Sequence, residues 1–395
     1  MGLLGWWLFM KKRFKIFFIT AGSTIGILIL AAIIYVVYIL LSYNRIGNTV
    51  LEINHNSALE KAKTDTVYSC VTYNIGFGAY SQDYTFFMDE GYDDEGNKTA
   101  GHYSKAKSKD EVLFNTKGSI SSVSSLDADF IFLQEVDTDS TRSYHINQND
   151  MITGAFSDYD NDFAVNFHAP FLPYPVYDMH GSVNAGITTL SKYRIHSAQR
   201  IQYTISTSLS KLFDLDRCFS VSMVQVDNGK TLYLVNSHMS AYDKGGTIRE
   251  KQMNELNSFL EECRKNGDYV IVGGDFNHDL LTYNPEYSYN DSSNRAFGMT
   301  KKTPDWVALF FNEEGTSPLT SGYRVVASDN ESTCRNNDIE WDPGKTFVCA
   351  VDGFIVSSNI DVEWHYNVLT TNGNKRIDGF AYSDHQPAYM TFRLK

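Results

Sequence analysis

Twenty-six consecutive residues without a charge, Ile16–Leu41 (IFFITAGSTIGILILAAIIYVVYILL), set the first constraint on this chain of 395 residues. As a helix rising about 1.5 Å per residue, such a run exceeds the roughly 30 Å hydrocarbon core of a bilayer. A secretory signal has a shorter apolar region, about 7–15 residues, followed by small residues at a cleavage site. The run is longer than that, so the expectation is a transmembrane anchor. Lys11, Lys12, Arg13 and Lys15 stand just before it, and Arg45 is the only base close behind. The positive-inside rule then puts the N-terminus in the cytoplasm and the residues after about 45 outside the cell. The expected organisation is a basic N-terminus (1–15), an anchor (16–41), a polar, partly helical stalk (42–65) and one large outer domain (66–395).

The chain carries 34 basic and 47 acidic residues. With the four bases ahead of the anchor set aside, the remainder holds 30 against 47, a net charge of −17. A domain this acidic is a poor non-specific binder of polyanions, which weighs against nucleic acid as a partner. There is no Pro- or Ser-rich linker and no internal repeat. The five cysteines form no CxxC pair. Cys70 and Cys218 lie in apolar runs and read as core residues. Cys334 and Cys349 flank a polar loop, and an extracellular setting would permit them to pair.

Short β-like runs recur through the outer part: Thr66–Ile75, Ala128–Val136, Asn184–Ser191, Cys218–Val226, Thr231–Met239, Asp268–Phe276, Phe347–Ser357 and His385–Leu394. Several are apolar on both faces, as central strands of a covered sheet are. Lys109–Leu126 and Thr247–Lys265 read as amphipathic helices; the second carries Ile248, Met253, Leu256, Phe259 and Leu260 as a stripe. Strands and helices mixed in this order imply an α/β protein with helices layered over sheet. The turn-rich stretch Asn277–Thr346 reads as a long surface insertion. The aromatic stretch Asn166–Gly181 (NFHAPFLPYPVYDMHG) either packs beside a cleft or touches an interface.

The polar residues of this outer part collect at strand ends. Asn74 closes the first run, Glu135 the second and His238 a later one. Asp275 and Asn277 close VIVGGDFNHD, two residues apart and so on one side of an extended chain. Taken alone, that corner is either an Asx turn or an oxygen-rich site for a cation or water. Asp352 interrupts CAVDGFIVS, and Asp384 and His385 open the last run. Rigid strands aim ligand and catalytic groups, so a set of this kind marks a site.

The order Asn, Gln-Glu-Val, Asn-Ser-His, Gly-Asp-Phe-Asn, Asp-Gly-Phe-Ile, Ser-Asp-His-Gln-Pro resembles the endonuclease/exonuclease/phosphatase superfamily over Val67–Leu394. That group includes DNases, apurinic endonucleases, neutral sphingomyelinases and inositol-polyphosphate 5-phosphatases. The resemblance implies a four-layer α/β/β/α sandwich of two packed mixed sheets. It also implies a metal-dependent phosphoester hydrolase, with Mg²⁺ or Mn²⁺ held by Glu135, Asn74 and Asp384. His385 would be the general base and Asp352 its carboxylate partner, while Asp275 and Asn277 would hold the attacking water and a phosphate oxygen. His238 would bind phosphate or protonate the leaving oxygen. Arg142 and Arg249 either reach the cleft as phosphate forks or sit in surface salt bridges. The substrate stays open between a lipid or small head-group phosphodiester and a nucleic acid; a protein that keeps the fold for binding alone is the third reading. No obligate protein partner is implied.

Overall fold

The computed structural model describes residues 3–42, 45–206, 216–241, 247–281, 297, 303–304, 306–310, 316–373 and 378–395. The chain divides into two compact units, Met1–Asn44 and Arg45–Lys395. The first contains one helix, Leu3–Ser42, of which Phe9–Ser42 is long and apolar enough to cross a membrane, with a mean hydropathy of 2.8. The helix runs past the uncharged stretch at its N-terminal end because Leu, Met, Lys and Arg all favour helix and no proline intervenes.

The second unit is built on two seven-stranded mixed sheets. The first runs in the order Thr49–Val50, Ile195–Gln202, Cys218–Gln225, Thr231–His238, Tyr269–Asp275, Asp352–Ser357, Tyr323–Val326. The second runs Ile360–Asn367, Ala388–Leu394, Val67–Asn74, Phe130–Asp137, Gly181–Ser191, Asp160–Leu172, Ile53–Asn54. Alternation along each strand makes the layers. Tyr269 and Ile271 join Phe130, Phe132 and Phe392 in one core drawn from both sheets. Their neighbours Val270 and Val272 pack instead with Met253, Leu256 and Leu260 of the helix Thr247–Asn266. On the second sheet Val71 and Ile131 pack with Val123 of Lys109–Ser124 and Ile152 of Gln148–Ala155. The architecture is therefore the expected α/β/β/α sandwich.

The two glycines of VIVGGDFN have a steric cause. A Cβ at Gly273 would sit 2.4 Å from the Phe132 ring, and one at Gly274 would sit 1.9 Å from the Ser237 carbonyl oxygen. The strand can approach its neighbours this closely only without side chains there.

Three expectations change. Residues 45–63, read as a partly helical stalk, are extended: Thr49–Val50 pairs with Arg200 and Gln199, Ile53–Asn54 with Asp162 and Asn161, and Ala62 bridges to Val226. Several polar side chains that suggested a stalk are bonded to the body, among them Asn48 to Gln202 N, Asn54 to Asn161 and His55 to Asp160. The stretch Asn277–Thr346 is not wholly a surface insertion, because Tyr323–Val326 joins the first sheet and residues 332–338 are buried. Much of its remainder lies outside the described residues. Finally, Asp384 and His385 stand in the loop before Ala388–Leu394, not within the strand.

One buried carboxyl lies between the sheets, away from the strand-end cluster. Asp162 accepts a hydrogen bond from Ser222 Oγ at 2.5 Å, and its Oδ1 has no partner. Burial raises it from 3.8 to about 7, against the Ser222 bond that lowers it. Below about pH 4 it is protonated in both folded and unfolded chains and contributes nothing. Between about 4 and 7 only the unfolded chain ionises, so stability is lost as pH rises and the loss is complete above about 7. Asp162→Asn is expected to melt at a higher temperature than the parent at pH 8, with the advantage gone near pH 4. Thermal unfolding at the two pH values checks this.

Candidate active site

Register brings the strand-end residues together. His238 stands opposite Asp275 across a parallel pair, and Asp275 stands opposite Asp352 across an antiparallel one. The second sheet supplies Asn74 and Glu135 from adjacent parallel strands. Glu135 lies where the pairing of Phe130–Asp137 slips between Leu133 and Val136, and its φ is +54°. A bulge re-aims a side chain, and left-handed backbone at a non-glycine residue is strain of the kind stored at functional sites.

Asp275 is the hub. Its Oδ2 lies 3.1 Å from Asn74 Nδ2, 3.4 Å from His238 Nε2 and 3.8 Å from His385 Nε2. Its Oδ1 accepts the Asn277 N–H at 2.8 Å, so the Asx turn and the polar site are the same corner. Asn277, at φ +50°, donates its amide to the Met239 carbonyl at 2.9 Å. Burial opposes ionisation of Asp275, but the charge of His385 and the hydrogen bonds from His238 and the Asn277 N–H outweigh it and hold the carboxylate well below its ordinary range.

His385 Nδ1 lies 2.7 Å from Asp352 Oδ2. Burial alone would lower the imidazole; Asp352 and Asp275 overcome it and raise the ring well above the ordinary histidine value. The loop carrying His385 is fixed by the buried segment beside it. Arg335 N donates to Asp384 O at 3.0 Å, Gln386 N to Thr333 O at 2.8 Å, and Asp352 N to Thr333 Oγ1 at 3.0 Å. His238 behaves differently. Burial and Arg217 lower it despite Asp275 and Glu135, so it is neutral near pH 7. Asn166 Nδ2 lies 3.4 Å from its Nδ1; with that amide donating, the ring carries its proton on Nε2, toward Asp275.

The donors suit a hard cation. Glu135, Asp275 and Asp384 are carboxylates lining one cleft, and such oxygens are what Mg²⁺ and Mn²⁺ take. Asn74 turns its Oδ1 to the Gly76 N–H at 3.0 Å and its NH₂ to Glu135 at 3.3 Å and to Asp275, so it braces the carboxylates. Asp275, Asp352 and His385 each bring a ligand atom within 4.8 Å of one another. The Asp352–His385 hydrogen bond makes two of those three a dyad.

Arg142 and Arg249 are both buried, not in surface salt bridges. Arg142 lines the cleft, forks onto Asp137 at 2.8 and 3.1 Å and lies over the Phe77 ring. Arg249 ties the carbonyls of Ala241 and Trp306 at 3.0 and 2.8 Å. Cys334 and Cys349 face one another in register as free, buried thiols, with Cys334 Sγ 3.6 Å from His385 Nε2. The sequence reading missed Arg335, Asn337 and Asp89. Arg335 is fully buried, lines the cleft and leaves Nε and Nη1 without a partner. Asn337 Nδ2 joins Asp384 at 2.9 Å to Asp89 at 3.0 Å. The one available signal was composition: RNND is an unusual cluster to bury.

Comparison with known proteins agrees with this geometry. The profile of the Endonuclease/Exonuclease/phosphatase family matches residues 71–385. No curated protein sequence matches significantly. Among solved structures the chain is similar to D. rerio TDP2 complexed with single-strand DNA product, at 14% identity and TM-score 0.51, covering 84% of this chain and 100% of that one. ANGEL2, a 2′,3′-cyclic phosphatase, shares 16% identity with TM-score 0.51, covering 88% of this chain and 98% of that one. An endonuclease/exonuclease/phosphatase from Beutenbergia cavernae shares 12% identity with TM-score 0.50, covering 83% and 72%. Those likenesses show the shared fold, and the profile match shows the membership: this chain belongs to the Endonuclease/Exonuclease/phosphatase family and is a phosphoester hydrolase.

Proposed function

We propose that the chain is a membrane-anchored, extracellular phosphodiesterase that uses Mg²⁺ or Mn²⁺ and a water activated by His385 and Asp352. The observation that carries the reading is the His385–Asp352 bond of 2.7 Å, with the other ring nitrogen turned toward Asp275. Asp352 orients the imidazole and raises its basicity, so Nε2 is the atom that receives the proton of the attacking water. Asp275 and Asn277 position that water. His238, neutral and protonated on Nε2, donates a hydrogen bond to a phosphoryl oxygen. Arg335 adds positive charge to the cleft from behind Asp384. Glu135 and Asp384 hold the cation, braced by Asn74. When bound, the cation offsets the negative charge that develops on the phosphoryl oxygens. The helix Phe9–Ser42 is the anchor, and the bases at 11–15 set its orientation.

The test is hydrolysis of bis-p-nitrophenyl phosphate by the full chain in detergent. Turnover with Mg²⁺ or Mn²⁺ that stops on addition of EDTA is expected. Activity that survives EDTA removes the metal assignment, and no turnover at all returns the inactive binding protein to first place.

A further inference from the structure

The chemistry just described needs a cation, a base and hydrogen-bond donors, yet the cleft around them is mostly oil. Its volume is about 510 Å³, and its walls include Phe77, Phe86, Phe87, Leu172 and Tyr174. A cavity of several hundred Å³ with apolar walls and a few convergent polar groups is built to take an organic ligand. Two separate segments make that wall. One follows the strand Val67–Asn74; the other is the tip of the hairpin Asp160–Leu172/Gly181–Ser191, and the Phe87 and Tyr174 rings meet edge to face at 5.8 Å.

The wall continues outward. Beyond Tyr174, 60% exposed, the hairpin tip turns Val176 and Tyr177 to solvent at 75% and 64%. Hydrogen bonds from Asp178 N to Pro175 O and from His180 N to Tyr174 O close the tip, so these side chains are presented and not trailing. Exposed apolar residues clustered at the mouth of a cleft mark an interaction surface. The tip's own residues carry no positive charge. Residues 166–181 contain no Lys or Arg, and Asp178 is already held by Lys105 at 3.2 Å. The tip itself therefore offers no positive charge to a polyanion or an anionic bilayer. The same chain carries a helix of membrane-spanning length.

We propose that the cleft takes a zwitterionic membrane phospholipid, with its phosphodiester at His238 and His385, its hydrocarbon side against Phe86, Phe87 and Tyr174, and the tip 174–179 set into the bilayer interface. This rests on the hydrolase reading above. Water oxygen bonds to phosphorus, the P–O bond to the leaving alcohol breaks, His385 takes the water proton and returns it to solvent, and the alcohol oxygen is protonated from solvent.

The experiment uses the full chain in mixed micelles with Mg²⁺. It compares phosphatidylcholine with glycerophosphocholine, which has the same head group and no chains, and takes bis-p-nitrophenyl phosphate as reference. Phosphatidylcholine is expected to be at least about 100-fold the better substrate in kcat/KM, since each buried CH₂ contributes about 0.8 kcal/mol. The double substitution Val176→Ser/Tyr177→Ser, and separately Phe87→Ser, should each lower the ratio of lipid to reference rate at least about tenfold, roughly the effect of losing one or two buried CH₂ groups or more. Equal rates on the two choline esters, or ratios that neither variant moves, would overturn the lipid assignment while the reference ester still reports a working hydrolase. Failure of the reference ester as well would overturn both readings.

Discussion

His385→Ala is expected to lower kcat for bis-p-nitrophenyl phosphate by about 10²–10⁴-fold, the usual loss when a positioned base is removed. The fold should persist, because His385 stands in a loop at the cleft, where its side chain bonds to Asp352 and contacts Asn74 and Cys334. A matched melting temperature separates the chemical loss from unfolding. The companion change Asp352→Asn keeps the shape and removes the carboxylate that raises the His385 ring. The imidazole then deprotonates at lower pH, so the acidic limb of the kcat/KM profile should move to lower pH while the plateau falls. A plateau lowered with no movement of that limb would reduce Asp352 to a structural role.

Glu135→Gln is expected to act through the cation. The amide keeps the length of the side chain and removes the charge, so affinity for Mg²⁺ falls and the activity lost at low Mg²⁺ should return in part as Mg²⁺ is raised. His385→Ala should show no such recovery, and the pair of titrations distinguishes a ligand from a base. A Glu135→Gln enzyme with the parent's Mg²⁺ dependence would move the cation toward Asp275 and Asp384. Strain gives a second reason to watch this residue. With φ at +54° inside a bulged strand, Glu135 is held by its surroundings, and the freedom it lacks is what keeps its carboxylate aimed inward.

The apolar strands were legible because their residues face either the other sheet or a helix. Val270–Val272 and Phe130–Leu133 are buried on both faces and so read as continuous runs. The longest strand, Asp160–Leu172, was not legible. It buries Asp160, Asp162 and Asn166 among its apolar positions, and their partners, Asn56, Ser222 and His238, lie far away in sequence. A polar residue satisfied by a distant partner looks like loop to any pattern read along the chain. Ile360–Asn367 was hidden for the opposite reason, as an edge strand whose Glu363, Trp364 and His365 face solvent. In the site, each candidate that ended a strand or belonged to a motif could be found. Arg335 closes only the two-residue strand Cys334–Arg335 and Asn337 lies just after it, in a buried segment whose place beside Asp384 exists only after folding.

The segment Arg45–Lys63 bears on where the second unit can be cut from the helix. Arg200, almost fully buried, gives two hydrogen bonds to the carbonyls of Ile46 and Gly47, and Asp160 receives the backbone N–H groups of Asn56 and Ser57. A soluble fragment cut at residue 66 would strip these partners from a buried arginine and a buried aspartate. It would also uncover the edge strands Ile195–Gln202 and Asp160–Leu172, and open edges invite association between copies. The boundary for a recombinant body therefore falls at about residue 45, and a protease that severs the chain between Thr49 and Ala62 would nick a strap that stays paired to both sheets.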